Sequence, residues 1–276
     1  MQKTHEYVKR FHFVKVDRII CKRYGMSNIA PRMDIFVKMS NPHDLWANVY
    51  EQVYEQCFGS FYGELTKELL RVINEMPNTR SIVDFGAGTG RLSIPLAQHG
   101  FDVNAVEISR GMCDELLHKA GRENVVLKVH HTCIADYQNT ASDLAISIFT
   151  VLSYITTEAE MKKSIENIGK RVVSGGHFLF DLPSQLLFQG SQFESPTLSR
   201  EIEISPLNLP DTYHYQEECR GIFEGREFDY KDDFKIRYWK PEVIDSMLRE
   251  AGFIDTGVTF PQFQGTYSTY KLYRKI

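Results

Sequence analysis

The stretch Val83–Arg91, VDFGAGTGR, decides how the rest of the chain is read. It overlaps the end of a short apolar run, residues 81–85, and leads into a helical pattern, so Gly86, Gly88 and Gly90 sit between a strand and a helix. Glycines there let the backbone turn tightly and let a ligand approach the main chain. The spacing is G-x-G-x-G, with Asp84 two residues before the first glycine. A dinucleotide fingerprint, G-x-G-x-x-G, would put its last glycine at position 91, where this chain carries the bulky cation Arg91. The next strand, residues 102–107 (DVNAVE), ends in Glu107, 21 residues after Gly86. A carboxylate there can accept hydrogen bonds from both hydroxyls of a ribose. Loop and carboxylate together are a far more specific signal than either alone.

Working outward, short apolar runs alternate with helical patterns. Strands are expected over residues 81–85, 102–107, 124–129, 144–149 and 177–181, and helices over 91–99, 110–120 and 159–172, the last closed by Gly175-Gly176. Such alternation implies a parallel sheet covered on both faces. Upstream, Leu45, Trp46, Val49, Val53, Cys57 and Phe61 recur at helical spacing from Pro42, and a second helix is expected over residues 63–76. A β-branched stretch at residues 10–22 fits a short strand. Downstream, residues 198–239 alternate apolar with polar and read as antiparallel hairpins punctuated by Gly221 and Gly225. Pro241 then opens a helix, and residues 256–260 and 266–273 are the last strand candidates. The chain therefore divides into an N-terminal extension (1–40), a core (41–183 and 237–276) and an antiparallel insertion (184–236).

Composition narrows the function classes. The 276 residues are 42% apolar and 25% charged, enough to form a core without staples. Lys plus Arg number 32 against 36 Asp plus Glu, a net charge of −4, which argues against a dedicated nucleic-acid binder. Cys21, Cys57, Cys113, Cys133 and Cys219 are scattered with no CxxC pair, which speaks against a zinc site and a disulfide framework and makes reducing cytoplasm the simplest compartment. His130 and His131 are adjacent, face opposite ways on a strand and cannot jointly chelate a metal, so no metal is expected. No stretch approaches the ~18 apolar residues of a membrane span, and the N-terminus lacks the apolar centre of a secretory signal.

VDFGAGTGRLSIPLAQHGFDVNAVEIS resembles the first motif and second strand of class I S-adenosylmethionine (SAM) dependent methyltransferases. GGHFLFDLP and RYWKPEVIDSMLREAGF resemble the fifth-strand and pre-terminal segments of the small-molecule members, so the likeness covers about residues 45–183 and 234–275. It implies an α/β fold: a doubly wound, seven-stranded, mostly parallel Rossmann-like sheet, here with an antiparallel β insertion. It also implies SAM as cofactor, with roles for particular residues. Asp84 would orient the loop and reach the methionine ammonium, directly or through water. Gly86, Ala87, Gly88 and Gly90 form the loop that lets the backbone pass close to the methionine and sugar. Glu107 would hold the ribose hydroxyls, Ile108 would lie against adenine, and Phe149 would approach the methionine from the far side. The family's Asp for the adenine amino group falls on Cys133 in HTCIADY, so either Asp136 or the backbone around Ile134 supplies that contact.

The acceptor is read by elimination. An Asn/Asp-Pro-Pro-aromatic motif, a Pro-Cys pair and a double-glutamate loop, each marking a macromolecular subclass, are missing after the fourth strand, where the chain reads FTVLSYI. A small-molecule acceptor, methylated on O or N, is the expectation. Methyl transfer from a sulfonium is an in-line displacement, and a neighbouring base helps an O–H or N–H acceptor lose its proton. The candidates are Tyr154, Asp181, His177 and His214, with His177 more often a packed strand residue. Trp46, Tyr50 and Tyr54 on the first helix and Tyr213, Tyr215 and Tyr230 in the insertion are candidate acceptor walls. Aromatic hairpins equally suit a homodimer surface. The rival readings are a nucleotide-dependent oxidoreductase, a non-catalytic SAM-binding partner protein, and a methyltransferase acting on protein or RNA.

Overall fold

The computed structural model describes residues 41–276; the strand expected over residues 10–22 lies outside the described residues. Two strands fall on their expected residues, β1 (Ser81–Phe85) and β2 (Asp102–Glu107). With β3 (Lys128–His131), β4 (Ser142–Ser147), β5 (Val172–Pro183), β10 (Phe253–Asp255) and β11 (Ser268–Lys275) they form a seven-stranded sheet of order β10-β11-β5-β4-β1-β2-β3. The pairs among β1 to β5 are parallel, and β11 runs antiparallel between β5 and β10. Helices α1 (Tyr50–Phe58), α2 (Phe61–Asn74), α3 (Ser93–Gln98), α4 (Arg110–Arg122), α5 (Glu158–Lys170) and α6 (Pro241–Glu250) accompany it.

Strand alternation sends neighbours into two separate cores. Val83, Phe85, Phe178 and Phe180 pack with Ile165 and Ile168 of α5 and Ile244 and Leu248 of α6. Ile82, Ile146 and Leu179 pack on the other face with Leu65, Leu69 and Ile73 of α2. The sheet is thus covered on both faces, and the carboxyl ends of β1, β2 and β4 open together.

Several boundaries move for local reasons. β3 starts later than expected because Asn124 turns left-handed (φ 56°) and the Val125 N–H bonds to Ala120 O, closing α4 and leaving Val126 92% exposed. The fourth strand ends at Ser147, since Phe149 and Thr150 take φ of 70° and 63°. Gly175-Gly176 lies inside β5 instead of ahead of it. A register shift there opposes Ser142 to Val172 and Leu144 to His177, and a Cβ on Gly176 would sit 2.7 Å from Asp143 O. Residues 42–49 form turns instead of the first helix, and Leu45 points outward, 68% exposed. The strand expected over 256–260 gives way to β10 and a 3-10 turn, Pro261–Thr266.

The second sheet holds β6 (Ser191–Glu194), β7 (Leu198–Pro206), β8 (Thr212–Phe223) and β9 (Arg226–Arg237), antiparallel and in that order. Its Leu198, Cys219 and Tyr230 pack against Trp46, Val49 and Val53, which fastens the sheet to the first turns and α1. A buried ion pair, Arg200 to Glu217 at 2.7 Å, sits in this layer. Glu217 also accepts the hydroxyls of Tyr215 (2.6 Å) and Tyr230 (3.1 Å). Gly225 turns the β8–β9 hairpin at φ +76°. Gly221 does not punctuate; it stays within β8, where a Cβ would lie 2.6 Å from the Phe228 ring.

Candidate active site

The open ends of β1, β2 and β4, residues 41–43, α1 and strands of the second sheet enclose a cavity of about 1510 Å³. At one end it is lined by Gly86, Ala87, Gly88, Glu107, Ile108, Cys133, Ile134, Asp136 and Phe149, the residues grouped by the sequence reading. Asp84 and Gly90 do not reach it. Asp84 is 4% exposed, and its carboxylate accepts the Ser93 hydroxyl at 2.5 Å, tying the strand end to α3 across the loop. Burial raises its pKa to about 7, opposed by Ser93 and reinforced by the Glu107 charge.

The three glycines all have positive φ (77°, 55° and 85°), yet they serve different ends. A Cβ on Gly86 would meet Val151 at 2.4 Å, and one on Gly90 would meet Leu116 at 2.9 Å. Only at Gly88 does a Cβ meet nothing within 4 Å. Gly86 and Gly90 permit close packing, and Gly88 alone faces open space.

Glu107 is 8% exposed. Its Oε2 accepts the Gly88 N–H at 2.9 Å and its Oε1 the Ser109 N–H at 2.8 Å. Burial raises its pKa, and those backbone bonds oppose the rise. Beside it Ile108 is 46% exposed. Asp136 pairs with Lys163 at 2.6 Å and accepts the Cys133 thiol at 3.2 Å; the Lys163 hydrogen bond holds its carboxyl below the usual range. Two residues that sequence reasoning missed close this end. Asn41 donates to Ile108 O at 2.8 Å, and Asp44 accepts the Ser109 hydroxyl at 2.6 Å and the Gly111 N–H at 3.0 Å.

Between the two ends lies Arg91, its guanidinium 4.5 to 5.8 Å from the ring centroids of Tyr62, Phe149, Tyr54 and Tyr50. Among the described residues it makes no ion pair. Phe149 and Thr150 hold their left-handed turn through the Thr150 N–H, which donates to Asp181 at 3.0 Å. Asp181 is 1% exposed, and burial lifts its pKa to about 6 against the backbone hydrogen bonds it accepts.

At the far end Tyr50 stacks on Tyr54 (4.4 Å) and Tyr215 on Phe234 (4.5 Å), and all four line the cavity together with Tyr154 and His214. His214 is paired with Asp233 at 2.6 Å. Three expected wall residues are elsewhere. Trp46, 1% exposed, stacks on Tyr230 at 4.1 Å, and Tyr230 spends its hydroxyl on Glu217, so both are packed into the joint between sheet and helix. Tyr213 packs on Phe188 (5.1 Å) outside the cavity. His177 lies within β5 and is likewise not in the lining. His43 is the main residue the sequence did not disclose. Its Nε2 lies 2.9 Å from the Tyr154 hydroxyl and its Nδ1 2.9 Å from Asp232. Nothing in the residues flanking His43 signals this, because its partners are distant in the chain.

Residues 82–176 match the family model of a methyltransferase domain. A Geobacillus sp. (strain WCH70) protein named as a methyltransferase is 27% identical over 194 residues, covering 65% of this chain and 76% of that protein. The chain carries a methyltransferase domain over residues 82–176. The fold agrees: a SAM-dependent methyltransferase of Clostridium acetobutylicum superposes with a TM-score of 0.71 at 16% identity, over 83% of this chain and 98% of that one. The SAM-bound amino pentose methyltransferase CalS10 of Micromonospora echinaspora gives 0.66 at 16% identity, over 83% and 97%. Gly86, Gly88, Glu107 and Phe149 of the cavity lining lie within the matched segment. Among the described residues no helix is long and apolar enough to cross a membrane.

Proposed function

We propose that this methyltransferase transfers the SAM methyl group to a nitrogen or oxygen of a small-molecule acceptor held between α1 and the second sheet. The observation that carries this is the continuity of the cavity from Glu107 to the aromatic walls contributed by Tyr50, Tyr54, Tyr215 and Phe234. The donor set fits SAM. Gly88 leaves open space beside the main chain, Glu107 offers carboxylate oxygens to the ribose, and Ile108 offers an apolar face to adenine. Arg91, without an ion-pair partner among the described residues, suits the methionine carboxylate. Asp136 or the backbone at Ile134 would take the adenine amino group, Phe149 would flank the methionine, and Asp84 would orient the loop through Ser93.

SAM supplies an electrophilic methyl group on a sulfonium. The protein's part is alignment and exclusion of water, and positioning of this kind supplies about 7–11 kcal/mol. Residues 184–236 cover the acceptor end, with Phe193, His214, Tyr215 and Phe234 in the lining, and would set specificity. That CalS10 is an amino pentose methyltransferase supports a small, polar amine among the first acceptors to try. The test is titration calorimetry with SAM and its demethylated product, followed by transfer of labelled methyl to a panel containing glucosamine, glycine, sarcosine and simple phenols. Micromolar binding and label on a panel member are expected. Label appearing only on protein or RNA, or SAM binding with no transfer to any acceptor, would overturn it.

A further inference from the structure

We propose that Tyr154, His43 and Asp232 form a proton relay that accepts the proton shed by the acceptor, with Tyr154 touching the acceptor and His43 receiving the proton. The inference rests on the methyl-transfer reading above and adds the base that the reading leaves open.

The three residues come from separate elements: the turns at 42–49, the 3-10 turn Val151–Tyr154 after β4, and β9. His43 lies 111 positions from Tyr154 and 189 from Asp232. Asp232 Oδ2 accepts three N–H donors: His43 Nδ1 (2.9 Å), the His43 backbone (3.0 Å) and Trp46 Nε1 (2.7 Å). Burial alone would raise the Asp232 carboxyl, but the His43 and Trp46 contacts hold it below the usual range. An ionised carboxylate has no hydrogen to give, so the proton of the neutral imidazole sits on Nδ1 and Nε2 presents a lone pair. Tyr154 is therefore the donor in its 2.9 Å contact with Nε2. His43 is held for this contact with a left-handed backbone (φ 66°), a conformation that a non-glycine residue keeps only when its surroundings enforce it. Trp46, Tyr50, Tyr154 and Phe234 box the imidazole, at centroid distances of 5.2 to 5.8 Å.

Tyr154 alone is a poor base. Burial, then the neighbouring Tyr54, Glu217, Asp232 and Glu107, push its hydroxyl well above the usual range. It can accept a proton only as it passes its own to His43. In the step, the acceptor lone pair forms a bond to the methyl carbon while the S–C bond breaks and its electron pair stays on sulfur. The acceptor's proton goes to Tyr154 Oη, the Tyr154 proton goes to His43 Nε2, and Asp232 balances the imidazolium. The rival bases are engaged elsewhere: Asp181 holds the Phe149–Thr150 turn, and His214 is paired with Asp233. The titratable groups facing His43 are Asp232 on β9, Tyr154 after β4, Tyr50 on α1 and Glu107 at the end of β2.

The test has an arm that needs neither donor nor acceptor. In ¹⁵N-labelled full-length protein, the His43 imidazole, identified by its loss in His43→Gln, is expected to show a protonated Nδ1 and a bare Nε2. A protonated Nε2 with a bare Nδ1 would overturn the relay. The second arm measures turnover with the acceptor found by labelled transfer. Tyr154→Phe and His43→Gln should each lower kcat by about 10²–10⁴-fold, the range for general-base catalysis, with SAM affinity kept. His43→Gln should also lose the rising limb of the pH profile, and imidazole should restore part of the rate to His43→Ala. Full turnover by Tyr154→Phe, or a loss of SAM binding that accounts for the whole effect, overturns the relay alone. A wild-type protein that methylates nothing overturns the reading of the site, and the relay with it.

Discussion

The parallel sheet and the antiparallel sheet contribute to the same cavity by opposite means. Gly86, Gly88 and Glu107 belong to one β-α-β passage, so their juxtaposition follows from strand pairing between β1 and β2, register Asp84 to Ala105 and Phe85 to Val106. The aromatic end has no such local origin. Asp232 reaches His43 only because Leu198, Cys219 and Tyr230 pack the second sheet onto Trp46 and Val53. A site built by neighbours in sequence tolerates change elsewhere, whereas a site built by docking depends on what holds the docked layer.

The largest expected effect breaks that docked layer. Arg200 and Glu217 are almost wholly buried (side chains 5% and 0% exposed), so Glu217→Ala strands a guanidinium and two tyrosine hydroxyls. Removing one partner of such a pair costs about 3–5 kcal/mol, while replacing both with apolar residues is often near neutral. Urea denaturation should show that loss for Glu217→Ala and its recovery in Arg200→Met/Glu217→Leu. If the two regions are independent, SAM affinity in the folded single variant changes by no more than about twofold. A parallel collapse of SAM binding would show that the donor site also depends on the docked layer.

The next effect lies in the core. Asp84 titrates near 7 in the folded protein, against roughly 3.9 in an unfolded chain. Between those values the folded state holds a proton that the unfolded state has released, so stability falls as pH rises. The contribution is fully present below about pH 4 and lost above about 7. Asp181, near 6, acts in the same direction over a shorter span. In SAM-free protein Asp84→Asn should flatten the decline of the urea midpoint across this window, and Asp181→Asn should remove a smaller part. An unchanged slope in Asp84→Asn would place its proton elsewhere.

A smaller effect reads the donor site directly. On the proposed site, each charge-assisted hydrogen bond from a ribose hydroxyl to Glu107 would be worth about 1.5–3 kcal/mol, so Glu107→Ala should weaken SAM binding by at least roughly tenfold. Because Glu107 also receives the Gly88 and Ser109 N–H groups, Glu107→Gln is the sharper probe. It keeps the shape and one acceptor oxygen, and should lose less. Equal calorimetric affinity for SAM in all three proteins would mean that the ribose is held by other groups.

What was legible in the sequence follows the same division. SIVDF and DVNAVE are short, apolar and bounded by turn residues, and both strands fall where the pattern puts them. A parallel sheet covered on both faces followed from their alternation with helices, and its doubly wound, seven-stranded form from the resemblance. Reading failed where a tertiary contact overrode a local pattern. Leu45 and Trp46 sit in one apolar stripe, yet one is 68% exposed and the other 1%, because residues 42–49 turn to bring His43 to Asp232. NVVLKV looks like one strand, but its first half closes α4. Tyr213, Tyr215 and Tyr230 are equivalent on paper. Only register against β9 and the place of Phe188 decide which one meets the cavity.

That last distinction supplies the smallest expected effect. Tyr215 lines the cavity and stacks on Phe234 at 4.5 Å, while Tyr213 packs on Phe188 outside it. An aromatic pair contributes about 0.5–1.5 kcal/mol beyond the area it buries, so Tyr215→Ala should raise the KM for the acceptor by roughly threefold to tenfold. Its SAM affinity should stay within about twofold of wild type, since Glu107 and Gly88 belong to the other region. Tyr215→Phe separates the ring from the hydroxyl: it keeps the stack but releases one donor from Glu217, so its cost should fall on stability and leave KM near wild type. Tyr213→Ala should leave both ligands' constants unchanged. Steady-state kinetics paired with calorimetry checks all three. Should Tyr213→Ala raise KM as much as Tyr215→Ala, the second sheet acts as one rigid wall whose outer packing sets the pocket, and the contrast between lining and supporting tyrosines fails.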